Sequence, residues 1–251
     1  MFGILIAAIF GAIFGSYATL FAYRLPLQES CFGRYFGPKS RCPKCDTIIR
    51  TRELIPLINW LVTLGKCRKC QSKIPKTHLF IEVATTSSFV ISYLQFGFSE
   101  YFIIYSLISV GLVILVVTDY THNLFPDSLL NFIVMISLAG RVLTDQNIID
   151  SIYSAIFGTV AAIIFYKIFY IKISNMFKSQ GQVFDYAKLI LISSVILQPQ
   201  LFLLYFLAVL IIFSLCSLFN ISTKLKKGNT GHMLVIPLML LMFFPPYLLT
   251  N

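Results

Sequence analysis

Long apolar stretches recur along the whole chain and constrain it more than any other feature. A helix needs about 20 predominantly apolar residues to cross a bilayer's hydrocarbon. Stretches of that length, or a little shorter, run over 2–23, 79–97, 101–118, 128–143, 151–171, 183–198, 200–219 and 233–250. Of the 251 residues 57% are hydrophobic and only 12% charged, against roughly 25% charged in a soluble domain. A water-soluble fold of this size could not hide so much apolar surface, so lipid is the solvent for most of it. The expected fold class is an all-α polytopic membrane protein of about eight transmembrane helices. Gln198-Pro199-Gln200 is the turn that divides 183–219, which is too long for a single crossing. Residues 2–23 lack a basic start and are long enough to span, so they read as a first helix rather than a cleavable signal.

Lys and Arg orient the spans. Twelve of the 20 basic residues fall within 24–78, and two further clusters are Lys172 with Lys178, and Lys224 with Lys226 and Lys227. With eight spans and the N-terminus outside, all three groups face the cytoplasm. The net charge of +10 is therefore a topology signal and a contact with membrane lipid, not a nucleic-acid surface.

Within the basic segment, Cys42-Pro43-Lys44-Cys45 and Cys67-Arg68-Lys69-Cys70 form two CxxC pairs. Each can be a tight turn presenting two thiolates to one ion, and two such knuckles complete a tetrahedral zinc site. Four thiolates close the coordination sphere, so the metal is expected to be structural. A domain with so few large apolar residues depends on it for folding. The expected organisation is a first transmembrane helix (1–23), a cytoplasmic four-cysteine zinc domain (24–78) and a membrane-embedded domain (79–251). Cys31 and Cys216 lie outside the pattern.

Carboxylates are scarce: residues 151–251 contain one, Asp185. An acid at membrane depth is costly and is a functional candidate by default. Asp119 closely follows the apolar run GLVILVV at the cytoplasmic end of the third span, and Asp185 stands at the cytoplasmic start of the sixth. The charge-derived topology thus puts both on one face. Two carboxylates sharing a site hold one proton between them, so one can take a proton from water while the other polarises a scissile carbonyl. The structural alternatives are interfacial caps, an Asp185–Lys188 pair one turn apart, and an N-capping role for Asp127.

Taken together the motifs resemble the type IV prepilin peptidases, membrane aspartyl peptidases of the GxGD kind. The likeness rests on Gly15-Ser16-Tyr17 with Tyr23-Arg24-Leu25-Pro26, the double CxxC with its flank IPLINWLVTLGKCRKC, Ile81-Glu82-Val83, and Asp119 with Pro126-Asp127. Thr19 replaces the family's usual Asn. The second catalytic motif departs: Gly181-Gln182-Val183-Phe184-Asp185-Tyr186-Ala187-Lys188-Leu189 lacks both motif glycines at their usual offsets and carries its Lys one residue late. The resemblance implies Asp119 and Asp185 as the catalytic pair of the membrane-embedded peptidase domain. The expected partners are type IV prepilins or the pseudopilins of type II secretion, cut at the cytoplasmic face of the bacterial inner membrane. It also implies N-methylation of the new N-terminus from S-adenosylmethionine, for which the residues themselves carry no nucleotide loop. A degenerate member that binds prepilins without cutting is the competing reading. A transporter is disfavoured by the absence of repeat symmetry and by acids at the interface.

Overall fold

The structure is a computed structural model. It describes every residue except 1, 30, 32–39, 51–55, 57, 145–147, 178–179, 219–230 and 244–251. The described residues form helices, with two isolated β-bridges and no strand among them. Each apolar stretch read from the sequence is a helix. The last is described only as far as Phe243, so the rest of 233–250 lies outside the described residues. The chain divides into two compact units, Met1–Phe102 and Ile103–Asn251.

In the first unit, α1 (Phe2–Arg24) packs along α3 (Lys76–Phe96), with the short α2 (Ile58–Val62) between them in sequence. The buried face of α1 consists of Ala7, Gly11, Gly15, Ala18 and Ala22, a three-and-four spacing that brings one face of the helix against its neighbour. A Cβ on Gly11 would lie 2.8 Å from Thr86 Cα, so the absent side chain is what lets the two backbones meet. The large residues Phe2, Leu5, Ile9, Phe10 and Ile13 point outward. Small residues inside and large apolar residues outside is the pattern of a lipid-bathed helix pair.

The second unit holds most of α4 (Glu100–His122), then α5 (Asp127–Leu143), α6 (Ile148–Phe177), α7 (Gln180–Ile196), α8 (Pro199–Leu218) and α9 (His232–Met242). Leu112 to Val117 of α4 are buried throughout. α7 packs against α5, α6, α8 and α9, and edge-on ring contacts link Phe125 to Tyr186, Tyr186 to Phe213 and Phe213 to Phe165. Arg141 fastens the far end of α7. Its Nε donates to Val195 O at 2.7 Å, and its Nη2 to Leu197 O at 3.2 Å and Ser194 O at 3.4 Å. Those are carbonyls of the last turn and the residue after it, groups that a helix leaves without partners. Pro199 opens α8, as expected of the Gln-Pro-Gln turn.

By length and composition α1, α3 and α4 can cross a membrane, and Ile152–Ile168, Pro199–Leu215 and His232–Met242 are shorter apolar helices.

Candidate active site and four-cysteine cluster

The two CxxC segments fold alike. The N–H of Cys42 donates to Thr47 O and that of Asp46 to Cys42 O; the N–H of Cys67 donates to Ser72 O and that of Gln71 to Cys67 O. The residue after each pair turns left-handed, Asp46 at φ 51° and Gln71 at φ 57°. Antiparallel bridges Arg41↔Ile48 and Lys66↔Lys73 close the two turns. The four Sγ atoms lie within 4.8 Å of one another, with Cys42–Cys70 at 3.7 Å and Cys45–Cys67 at 3.9 Å. Four sulfurs at the usual zinc–sulfur distance of about 2.3 Å stand roughly 3.8 Å apart in a tetrahedron. The donor set and its spacing therefore suit zinc, with no position left open. The N–H groups of Lys44 and then Cys45 draw the Cys42 thiol down to about 6, and the Ser72 hydroxyl lowers Cys70. Both effects favour the thiolates that a metal requires, while burial and the neighbouring Cys42 and Cys70 thiols push Cys67 the other way.

Asp119 lies in the last turn of α4 and is 3% exposed. Its Oδ2 accepts the backbone N–H of His232, the first residue of α9, at 2.9 Å. His232 Nδ1 stands 3.4 Å from the same oxygen, without hydrogen-bond geometry. Gly231 makes this approach possible: a Cβ there would lie 2.5 Å from Asp119 Oδ1 and 2.5 Å from Phe125 Cζ. The sequence singled out neither Gly231 nor His232 as a site residue. More than a hundred residues separate them from Asp119, and no local pattern joins them.

Asp185 is set differently. α7 begins at Gln180, so Asp185 is inside the helix rather than at its start, and Gly181 to Phe184 are helical. Where the GxGD pattern would admit a break, this chain has a regular turn. Asp185 stays partly open, with its side chain 25% exposed. Lys188 Nζ reaches Asp127 Oδ1 at 2.7 Å and Asp185 Oδ1 at 3.5 Å. A lysine three residues after Asp185 shares its helix face, which one two residues after would not. Asp127 thus engages Lys188 rather than capping α5, whose N-cap position is Pro126 and shows no side-chain cap. No hydrogen bond or ion pair joins Asp119 to Asp185. Phe125 lies against the Asp119–Gly231 contact, and its ring stands 5.9 Å from that of Tyr186, the residue after Asp185.

A helical protein with a four-cysteine cluster, a buried carboxylate in the last turn of one helix and a partly exposed carboxylate inside another is the class that the geometry defines. Comparison with known proteins narrows it. Residues 9–96 match the family described as "Bacterial Peptidase A24 N-terminal domain", a match that ends before either aspartate. The chain is 33% identical over 158 residues to a prepilin leader peptidase/N-methyltransferase of Bacillus subtilis, covering 62% of this chain and 60% of that protein. A protein of the same description from Stutzerimonas stutzeri is 30% identical over 178 residues, with 62% and 60% covered. An Escherichia coli type 4 prepilin-like proteins leader peptide-processing enzyme is 30% identical over 136 residues, covering 49% of this chain and 51% of its own length. The chain thus spans between half and three fifths of these curated relatives. No solved structure matches it. The chain is similar to the prepilin leader peptidases, as its motifs imply.

Proposed function

We propose that this chain is a prepilin leader peptidase of the bacterial inner membrane, with Asp119 and Asp185 as its catalytic pair. The observation that carries the reading is Asp119. It is a buried carboxylate, embraced by the start of α9, in a chain similar to relatives named for leader cleavage. One carboxylate takes a proton from water as it attacks the scissile carbonyl, while the other donates to the carbonyl oxygen. Asp119 is held by the His232 N–H and the Gly231 contact, and Asp185 is steadied by Lys188. Burial of Asp119 limits its access to bulk water, and the more open Asp185 faces the entering substrate.

The rest of the reading follows the same resemblance. Eight spans with the N-terminus outside put residues 24–78 and both aspartates at the cytoplasmic face, where a prepilin or pseudopilin leader would arrive. Cys42, Cys45, Cys67 and Cys70 would hold a structural zinc that fixes the knuckles and takes no part in hydrolysis. N-methylation of the new N-terminus from S-adenosylmethionine is the second proposed activity, supported by the relatives' names alone.

The test uses the full chain in detergent, a prepilin from the same organism and S-adenosylmethionine, read by mass spectrometry. Loss of the leader together with a gain of one methylene on the product supports both activities. Prepilin binding without cleavage would instead establish a scaffold.

A further inference from the structure

The turn between the two knuckles has an exposed apolar tip that no part of the catalytic reading uses. Leu61 is 63% exposed, Val62 76% and Leu64 78%, close together at the end of α2. Leu64 also takes a left-handed conformation, φ 51°, which is an outlier for a bulky residue and is kept where the surroundings require it. The chain folds back on itself there: Gly65 N–H donates to Trp60 O, and Ile74 N–H donates to Gly65 O at 2.7 Å. Ile74 is two residues before Lys76, the first residue of α3. One cross-chain step of about 5.5 Å and two Cα steps of 3.8 Å put Gly65, the residue after the tip, within roughly 13 Å of the helix start. α3 is long and apolar enough to cross a membrane, so its start marks the edge of the bilayer.

The charge around the tip has one sign. Between Glu53 and Glu82 there is no acid, whereas Lys66, Arg68, Lys69, Lys73 and Lys76 all fall there. Residues 24–78 hold 12 Lys and Arg against Glu29, Asp46 and Glu53, a net of +9 out of the chain's +10. Lys66 and Lys73 are opposed across an antiparallel bridge, a like-charge pairing that costs stability until an anion lies between them. A basic leader peptide would be repelled by this face. An anionic lipid surface complements it, taking the leucines into the headgroup layer and the lysines onto phosphate.

We propose that Leu61, Val62 and Leu64, followed in the chain by Lys66, Lys69 and Lys73, dock the cysteine domain onto the anionic lipid surface from which α3 departs. Docking holds the domain down against the bilayer by a second contact besides its two helices. It is independent of whether Asp119 and Asp185 cut anything.

Trp60 is the only tryptophan in the chain, and its ring packs on Gly65 directly behind the tip. It therefore reports on the tip alone. The full chain is reconstituted in phosphatidylglycerol–phosphatidylcholine vesicles and in vesicles of phosphatidylcholine only, each with and without bromine on the upper acyl carbons. Trp60 emission should be quenched by brominated lipid in the anionic vesicles and much less in the neutral ones. Leu61→Ser/Val62→Ser/Leu64→Ser should lose that quenching while keeping its bound zinc, which shows that the knuckles remain folded. Lys66→Gln and Lys69→Gln should each lower the docked-to-undocked ratio about fivefold. Quenching that is absent, indifferent to phosphatidylglycerol, or unchanged in the triple variant would overturn the proposal. So would a Trp60 response to prepilin in detergent with none to lipid, because the face would then belong to a protein partner.

Discussion

Gly231→Ala is the sharpest perturbation of the site. Gly231 has φ −63° and ψ −35°, a conformation that alanine adopts freely. Gly231 is the N-cap of α9, where glycine is preferred over alanine by a modest margin, so the backbone term is small and does not favour the change. The larger loss comes from the added methyl group, which would stand 2.5 Å from Asp119 Oδ1, 2.5 Å from Phe125 Cζ and 2.7 Å from Asp119 Cγ. Ordinary contact begins at 3.4 Å, so something must move by 3.4 − 2.5, or 0.9 Å. Phe125 is 5% exposed and rests on Tyr186, itself 1% exposed, so the ring has little room to yield. The displacement therefore falls on Asp119 and on the start of α9. Misplacing a reacting group by about 1 Å can cost on the order of 10²-fold in rate, and overpacking costs about 1–3 kcal/mol of stability. Single-turnover leader cleavage by Gly231→Ala should fall by about that factor, while prepilin binding is retained. Leu240→Ala, on the exposed side of the same helix, should cleave normally. Wild-type cleavage by Gly231→Ala, with its thermal transition unchanged, would refute the claim that this glycine sets the position of Asp119.

Other outcomes follow from named contacts. Lys188→Met removes the cation shared by Asp127 and Asp185. The lysine's hydrogen bond is to Asp127, and it stands 3.5 Å from Asp185; a partly exposed ion pair is worth about 0.2–1 kcal/mol, so cleavage should fall no more than severalfold and the melting transition should barely move. Arg141→Met strands the carbonyls of Ser194, Val195 and Leu197; it should lower stability by about 1–3 kcal/mol in a melting experiment and change catalysis less than Lys188→Met does. Stripping zinc with a chelator, or Cys45→Ser with Cys67→Ser, should expose 24–78 to proteases while α1 and α3 stay protected by lipid, and metal analysis of the untreated protein should give a single zinc per chain.

The sequence revealed more of the helices than of the site. Hydropathy located every long helix among the described residues because the requirement to satisfy backbone groups in lipid leaves few alternatives. The cysteine spacing was equally legible, since a CxxC turn brings two thiolates together by local geometry alone, and the S–S distances agree with it. The duplication of the knuckles shows when Cys42 to Ile49 is laid on Cys67 to Ile74: the bridges and the turn hydrogen bonds repeat residue for residue, with no insertion in either copy. Asp185 was legible as the sole acid of its region, but its position inside α7 was not. Beginning the apolar stretch at 183 put it at a helix start, whereas the helix begins at Gln180 and Gln182, Val183 and Phe184 continue it. Gly231 and His232 were out of reach because their role exists only once the start of α9 meets Asp119 at the end of α4. Lys188 looked like a simple partner for Asp185 one turn away, yet its shorter contact is with Asp127, 61 residues earlier.

The central claim is that Asp119 and Asp185 act as one catalytic unit. It is tested most directly by measuring leader cleavage in Asp119→Asn, Asp185→Asn and the double variant under single-turnover conditions. Groups that act as a unit are strongly non-additive. Each single change is predicted to abolish cleavage to the level of the double variant, with all three proteins folded and still binding prepilin. A single variant that retains substantial cleavage, or losses that multiply in the double variant, would contradict the pair.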